Sequence, residues 1–284
     1  MRVDTGVVLT DTHTTASTGL LPPDATADDG APIPLNKIQK WLWLKYLLTQ
    51  QQATAELVPQ DGGKKWLFHL GDWVEGLHHD STQVASLNMA TMRRCGVQTL
   101  KPWLEWCDYA FFQRGTGAHA GNAGADEESM ADALSTLYPG KVQRDPATGT
   151  YTVFHRTVRI QQVTCDLAHH PPSGTGREYL AHGPAGVLAT SVLLDYTLTG
   201  DVPPTVVLRG HLHPRKGIYD TGWTYPVRAV ICPSWKLVDE HGSKRTPGAV
   251  NVVGAVFFRV TGARIDLWPV TYFPKRQKAW TETT

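Results

Sequence analysis

Four apolar runs in this chain end in residues that hold metals or move protons. Residues 7–10 lead into Asp11-Thr12-His13, residues 66–70 into Gly71-Asp72, residues 163–168 into His169-His170, and residues 205–208 into Arg209-Gly210-His211-Leu212-His213. In an extended segment residues i and i+2 point to one side, so His211 and His213 are expected to face a common point beyond a strand end. Gly210 is expected to let the backbone turn there. The donors are carboxylate and imidazole, with no thiolate cluster. Such a set suits Zn, Mn, Fe, Ni or Co better than Mg or Ca, which favour all-oxygen shells. The donors outnumber what one tetrahedral ion needs, which argues for two ions sharing a carboxylate. Asp72, on the tight turn after Gly71, is the expected bridge.

The elements that must position these residues follow from pattern. Residues 7–10 and 66–70 are β-branched or apolar and bounded by turn residues, so they read as strands. Asn36 is placed to cap a helix to about Gln52, with Ile38, Leu42, Lys45 and Leu48 on its helical rhythm. Strand, helix and strand in succession imply a parallel pair. Between them, residues 14–35 are rich in Pro, Gly, Thr and Asp, and read as a flap too polar for the core. After Asp72 a loop carries Glu75, Gly76, His78, His79 and Asp80. A helix is expected from about Ser81 towards Cys107, broken near Lys101-Pro102. Residues 109–113 form the third strand, leading to Gly115-Thr116-Gly117-Ala118-His119, where small residues permit close backbone approach. Residues 126–137 and 184–196 read as helices. Residues 151–155 and 158–166 read as a hairpin or meander, and further strands are expected at 205–208, 227–231, 250–260 and 264–270. A β/α first half and a strand-rich second half fit one α/β domain over residues 1–284, with two mixed β-sheets packed together and flanked by helices.

A net charge of +1 provides no global field to recruit nucleic acid or a membrane, although local basic patches stand at Arg209, Arg215 and Lys216, and at Lys275, Arg276 and Lys278. No apolar run approaches membrane-spanning length and the start of the chain has no apolar signal core, so no membrane partner is expected. Cys95, Cys107, Cys165 and Cys232 show no metal-type spacing or disulfide framework, which favours a reducing, cytoplasmic setting. Cys165 lies in a core strand, as a small hydrophobe. His69 and His155 lie within strands and read as packing or hydrogen-bonding residues.

Taken in order, Asp11-x-His13, Gly71-Asp72, a glycine-rich third motif, His169 and Gly210-His211-x-His213 resemble the motif set of the calcineurin-like metallophosphoesterases. The resemblance covers residues 7–213. It implies a four-layer α-β-β-α sandwich and a binuclear centre for phosphoester hydrolysis. Carried over by position, one ion would take Asp11, His13, Asp72 and His213, and the other Asp72, His169, His211 and a third-motif residue. That third motif departs from the family's usual Gly-Asn-His. Gly115-Thr116-Gly117-Ala118-His119 looks like the version in phage and prophage members, which would place the protein in a host cell's cytoplasm. Thr116 stands where the amide ligand would be, and a hydroxyl is a poorer ligand; water or Asn122 is the alternative.

The expected activity is metal-dependent hydrolysis of phosphodiesters such as cyclic nucleotides or nucleic acid. Two ions about 3.5–4 Å apart would clamp the phosphate and activate water, and His119 would protonate the leaving oxygen or hold a phosphate oxygen. A phosphomonoesterase acting on nucleotides or phosphoproteins is the near rival, and a non-catalytic metal-binding scaffold the more distant one. His169 is favoured over His170 as the ligand because it comes first after its strand. His78 and His79 read as a solvated loop beside the substrate.

Overall fold

The computed structural model describes residues 1–77, 82–171, 183–213, 219–221, 227–239 and 252–274. His78, His79, Asp80, His182, Arg215, Lys216, His241 and the basic group at 275–278 lie outside them. In chain order the elements are β1 (Asp4–Leu9), α1 (Lys37–Glu56), β2 (Lys65–His69), α2 (Met89–Trp106), β3 (Tyr109–Gln113), α3 (Gly117–Ala120), α4 (Ala125–Leu137), β4 (Thr152–Val153), β5 (His155–Ile160), β6 (Val163–Ala168), α5 (Gly183–Thr199), β7 (Val206–Arg209), β8 (Tyr219–Asp220), β9 (Arg228–Ile231), β10 (Val253–Thr261) and β11 (Arg264–Tyr272). The two-residue strand β8 was not expected from the sequence.

Two mixed sheets result. One has the order β11-β10-β1-β2-β3-β4 and the other β5-β6-β7-β9-β8. In the first, β1 to β4 run parallel while β10 and β11 are antiparallel. In the second, β6, β7 and β9 are parallel, with β5 and β8 antiparallel at the edges. Strand alternation sorts the apolar side chains into layers. Val8, Phe68 and Phe258 of the first sheet meet Val158, Cys165, Leu167, Leu208 and Val230 of the second. Val7, Leu9 and Phe112 point the other way, onto Leu42 and Tyr46 of α1, Trp103 of α2 and Leu134 of α4. Beyond the second sheet, Val207, Ala229 and Ile231 pack on Leu188 and Val192 of α5. The four-layer α-β-β-α sandwich is therefore present. Each fully buried Leu, Val or Phe in these layers contributes about 1.5–3 kcal/mol relative to exposure.

Several local expectations are corrected. Asn36 does cap α1, through a capping box with Gln39. The face it buries is Gln39, Leu42, Tyr46, Thr49 and Ala53, whereas Ile38 and Leu48 are exposed. The helix has apolar residues on two faces, and packing on β1 and β10 chose the one with Tyr46. Helix α2 starts at Met89, capped by Asn88, and continues through Pro102. Trp103, Leu104 and Trp106 bury themselves in the core just after the proline, and this holds the last turn helical. The expected strand 158–166 is two strands, β5 and β6, joined at Gln161 in left-handed conformation (φ 53°). Gln161 is pinned to the other sheet, donating to Asp4 at 2.7 Å and accepting from the Gly262 amide at 2.7 Å.

The segment expected to be a polar flap is in part a wall. Leu20 joins the helix-side core, and Leu21 and Ala25 pack on Cys95. Its backbone groups are satisfied because the chains leaving β1 and β2 keep pairing beyond the strands: the His13 amide donates to Asp72 O at 3.0 Å, Thr14 to Trp73 O at 2.8 Å, and Glu75 to Thr14 O at 3.0 Å. Only residues 23–35 remain mostly exposed. This extended ladder fixes the two acidic loops against each other, at the shared carboxyl edge of both sheets.

Candidate metal centre

The loops leaving β1, β2, β3, β6 and β7 converge at that edge. Strain marks the place. Asp11, His13, Asp72, His211 and His213 all have positive φ, from 39° to 68°. This region costs L-residues roughly 1–2 kcal/mol each, though Asp and His tolerate it better than most. Such strain persists where the surroundings over-determine it, as happens at functional sites. Two glycines serve by leaving room. A Cβ on Gly115 would sit 2.0 Å from Asp72 Oδ1, and one on Gly210 would sit 2.1 Å from Thr10 Oγ1 and 2.6 Å from Asp11 Oδ2. Gly210 was expected to make the turn; the positive φ belongs instead to His211 and His213, and the glycine admits Asp11.

Asp72 is the hub. Its Oδ1 accepts from the Thr116 amide at 2.7 Å and the Thr116 hydroxyl at 3.1 Å. Its Oδ2 faces three imidazole nitrogens: His169 Nε2 at 3.1 Å, His13 Nε2 at 3.9 Å and His119 Nε2 at 4.0 Å. Asp11 is divided in the same way. Its Oδ2 accepts from the His211 amide at 3.0 Å, while Oδ1 lies 3.0 Å from His213 Nε2 and 3.7 Å from His13 Nε2. His211 turns away from His213 to join His169 and His170. The two histidines therefore serve two neighbouring groups, and the extended-strand expectation that they share one point is corrected, because both have left-handed backbones. Donor atoms gather as Asp11, His13 and His213; as Asp11, Asp72 and His169; as His13, Glu75 and His119; and as His169, His170 and His211, each within 4.8 Å.

The donor set fits divalent ions. His13 Nδ1 is 2.8 Å from Glu75 Oε2, and His169 Nδ1 is 2.8 Å from Leu70 O. Acceptors at both Nδ1 atoms fix the proton there and turn Nε2 inward, as second contacts of metal-bound histidines do. Both Nε2 atoms are sealed from solvent without a hydrogen-bond partner. Buried ring nitrogens without hydrogen bonds beside paired carboxylates are costly unless something binds between them.

Electrostatics agree. Burial opposes charge on Asp72, yet His169, His119 and His13 hold its carboxyl well below the usual range. Asp11 behaves alike, with His213 and His169 outweighing burial. Burial also opposes a charged His169, but Asp72 and Asp11 outweigh it and raise it to about 10. The metal-free chain thus keeps a proton on His169 at neutrality. Its contribution to stability is fully present below the ordinary histidine range and is lost as pH rises through about 10. An ion taking Nε2 must displace that proton. Apparent affinity is therefore expected to climb by up to about tenfold per pH unit between 7 and 10, with proton release visible when calorimetry is repeated in buffers of different ionisation enthalpy. Binding without proton release would remove His169 from the ligand set.

Some contributors were not singled out by sequence. Glu75, three residues past Asp72, is buried between His13 and Lys236, whose Nζ lies 2.8 Å from Glu75 Oε1 and 2.9 Å from Asp239 Oδ2. Glu127 of α4 accepts the Gly115 amide at 2.7 Å and the Trp73 amide at 3.2 Å, tying the second and third loops together. Burial and the nearby Asp72 push it up to about 8. His69 accepts from the Gly71 amide at 3.2 Å and lies 3.3 Å from Thr12 Oγ1, a hydrogen-bonding role as expected; burial pushes it down to about 3. Other expected residues sit differently. Thr116 directs its hydroxyl to Asp72, and Asn122 is exposed on the short 3₁₀ turn after α3. His119 Nδ1 contacts Glu75 O, and burial together with His13 pushes the imidazole down to about 3, so it is neutral in the metal-free chain.

By sequence the chain matches no protein-family model and no curated protein. Among solved structures it is similar to Vps29 from Cryptosporidium parvum (10% identity, 96% of this chain and 100% of that one, TM-score 0.37) and to a single mutant of Vps29 from Entamoeba histolytica (10%, 94% and 99%, 0.35). It is also similar to a hypothetical protein from Pyrococcus horikoshii (11%, 94% and 88%, 0.43). At such scores nothing of those proteins' roles transfers to this chain. Among the described residues no helix is long and apolar enough to cross a membrane, and all four cysteines are buried and free.

Proposed function

We propose that the chain is a metal-dependent phosphoesterase with a binuclear centre, related to the calcineurin-like enzymes and acting on phosphodiesters. The observation that carries this reading is Asp72 Oδ2 facing three imidazole nitrogens, two of them belonging to buried residues with no hydrogen-bond partner at that nitrogen. Asp11, His13, Asp72 and His213 would hold one ion, and Asp72, His169 and His211 would contribute to the other. Bound there, divalent Mn, Zn, Fe, Ni or Co would supply Lewis acidity towards phosphoryl oxygens and lower the pKa of water. The chain's own part is positional. Glu75 and Leu70 O orient two imidazoles, Thr116 holds Asp72, and Glu127 ties the two loops that carry them.

The test is hydrolysis of a bis(nitrophenyl) ester against the nitrophenyl monoester, before and after reversible chelation. A faster diester rate that vanishes on chelation and returns with metal is expected. A faster monoester would favour a phosphomonoesterase, and binding of metal without hydrolysis would favour a scaffold.

His119 is assigned as the proton donor to the leaving oxygen. It is neutral in the free site, so its proton would be gained against the negative charge of a bound phosphoester. His119→Ala is expected to keep both metals and to lose about 10²–10⁴-fold on an alkyl ester, but far less on a nitrophenyl ester, whose leaving group needs little protonation. Equal losses on both esters would leave only a phosphate-binding role. Loss of an ion would make His119 a ligand.

A further inference from the structure

The two groups of donors around Asp72 are unequal. On the binuclear reading one position would be complete for a four-coordinate ion, with Asp11, His13, His213 and Asp72. The other would have Asp72, His169 and His211, one donor short of a tetrahedral shell. Thr116, the sequence's candidate for that place, has its hydroxyl turned to both Asp72 oxygens, at 3.1 and 3.3 Å. Asn122 is exposed.

The opposite wall of the second group holds another donor. His169 and His170 leave β6 together, and His211 arrives from β7 beside them. The three rings form a closed triangle, with centroids 4.8 Å apart for His169–His170, 5.1 Å for His169–His211 and 4.6 Å for His170–His211. One nitrogen from each lies within 4.8 Å of the others. His169 is 1% exposed, and its Nε2, 3.1 Å from Asp72 Oδ2, has no hydrogen-bond partner.

We propose that His170 is a metal ligand, completing the second ion's shell with His169, His211 and Asp72. This rests on the binuclear reading above. The two histidines after β6 then act jointly, where the sequence had set one against the other. The second position becomes nitrogen-rich, with three imidazoles and one carboxylate, while the first has two of each. Imidazole suits Zn and Co, whereas Mn favours oxygen donors. The second position is therefore the one that discriminates against Mn.

The experiment uses the full chain and titrates it with Co²⁺, Zn²⁺ or Mn²⁺ alone, reading stoichiometry by calorimetry and Co²⁺ coordination by visible absorption. Wild type is expected to take two Co²⁺ or Zn²⁺, with the second Mn²⁺ much weaker. His170→Ala should keep the first ion at unchanged affinity and bind the second at least about 100-fold more weakly, beyond the 10–100-fold typical of an outer contact. Thr116→Val, whose amide still holds Asp72, should retain both ions with a loss of no more than about tenfold. His170→Cys should recover Zn²⁺ and, with Co²⁺, add a thiolate-to-metal charge-transfer band absent from wild type, a signature that direct ligation alone produces. His170→Ala titrating like wild type, or Thr116→Val losing the second ion while His170→Ala keeps it, would overturn the assignment and leave the binuclear centre standing. A wild-type chain that takes fewer than two ions would overturn both.

Discussion

Asp72→Ala is expected to empty both metal positions together and to lower hydrolysis on the order of 10³-fold or more. Metal stabilisation of a transition state is worth several kcal/mol, and each ~1.4 kcal/mol is a factor of ten. The expectation comes from the way the carboxylate is divided. Thr116 engages Oδ1 with its amide and shares its hydroxyl between the two oxygens, while Oδ2 faces His169, His13 and His119. Thr116→Val is the informative comparison. It keeps the amide bond at 2.7 Å and loses only the hydroxyl, so a loss of about tenfold with both ions retained is expected. Asp72→Ala that retains one ion at full affinity would end the bridging assignment. Asp80, from the same loop, lies outside the described residues and makes a less defined control.

Lys236→Met is expected to cost about 3–5 kcal/mol of stability, the usual result of stripping one partner from a buried pair. Lys236 is 6% exposed and Glu75 2%, so neither charge has water to fall back on. The same change releases Glu75 from its place under His13 Nδ1, and metal affinity should fall about 10–100-fold as the imidazole loses its orientation. Urea denaturation and metal titration would measure the two effects separately. Adding Glu75→Gln should recover most of the stability, because the buried carboxylate is then neutral and its amide oxygen can still accept from His13, while Asp239, the other partner of Lys236, is partly exposed. If the double variant stays as unstable as the single one, the loss comes from packing of the lysine stem and not from the stranded carboxylate.

The centre was legible in the sequence to the extent that local signals carry it. Asp11, His13, Asp72, His169, His211 and His213 each end an apolar run, and a parallel sheet gathers strand ends in space whatever their separation along the chain. Gly115 and Gly210 were visible as small residues, but their reason, room for the carboxylates of Asp72 and Asp11, exists only once the loops meet. Lys236 was invisible. It lies 161 residues from Glu75, and nothing near it in sequence marks it as the counter-charge of a buried glutamate. Glu75 had a signal three residues past Asp72, which was read as part of a loop. The misreading of α1 has the same origin: periodicity found a helix, while two apolar faces left open which one β1 and β10 would cover. The segment after His13 was read as a flap from its Thr and Pro content. Its threonines are buried because their backbones are paired, Thr14 with Trp73 and Glu75, Thr15 with Leu20 and Ala85, and Thr18 with Leu237. Composition cannot distinguish a polar loop in solvent from one that continues a ladder.

The central claim is that two ions sit on either side of Asp72. Crystals of the chain grown with Mn²⁺ or Zn²⁺, with data collected at the metal's absorption edge, test it most directly. The account predicts two anomalous peaks: one against Asp11, His13 and His213, one against His169 and His211, and both touching Asp72. A single peak, two peaks that do not share Asp72, or none at saturating metal would contradict it.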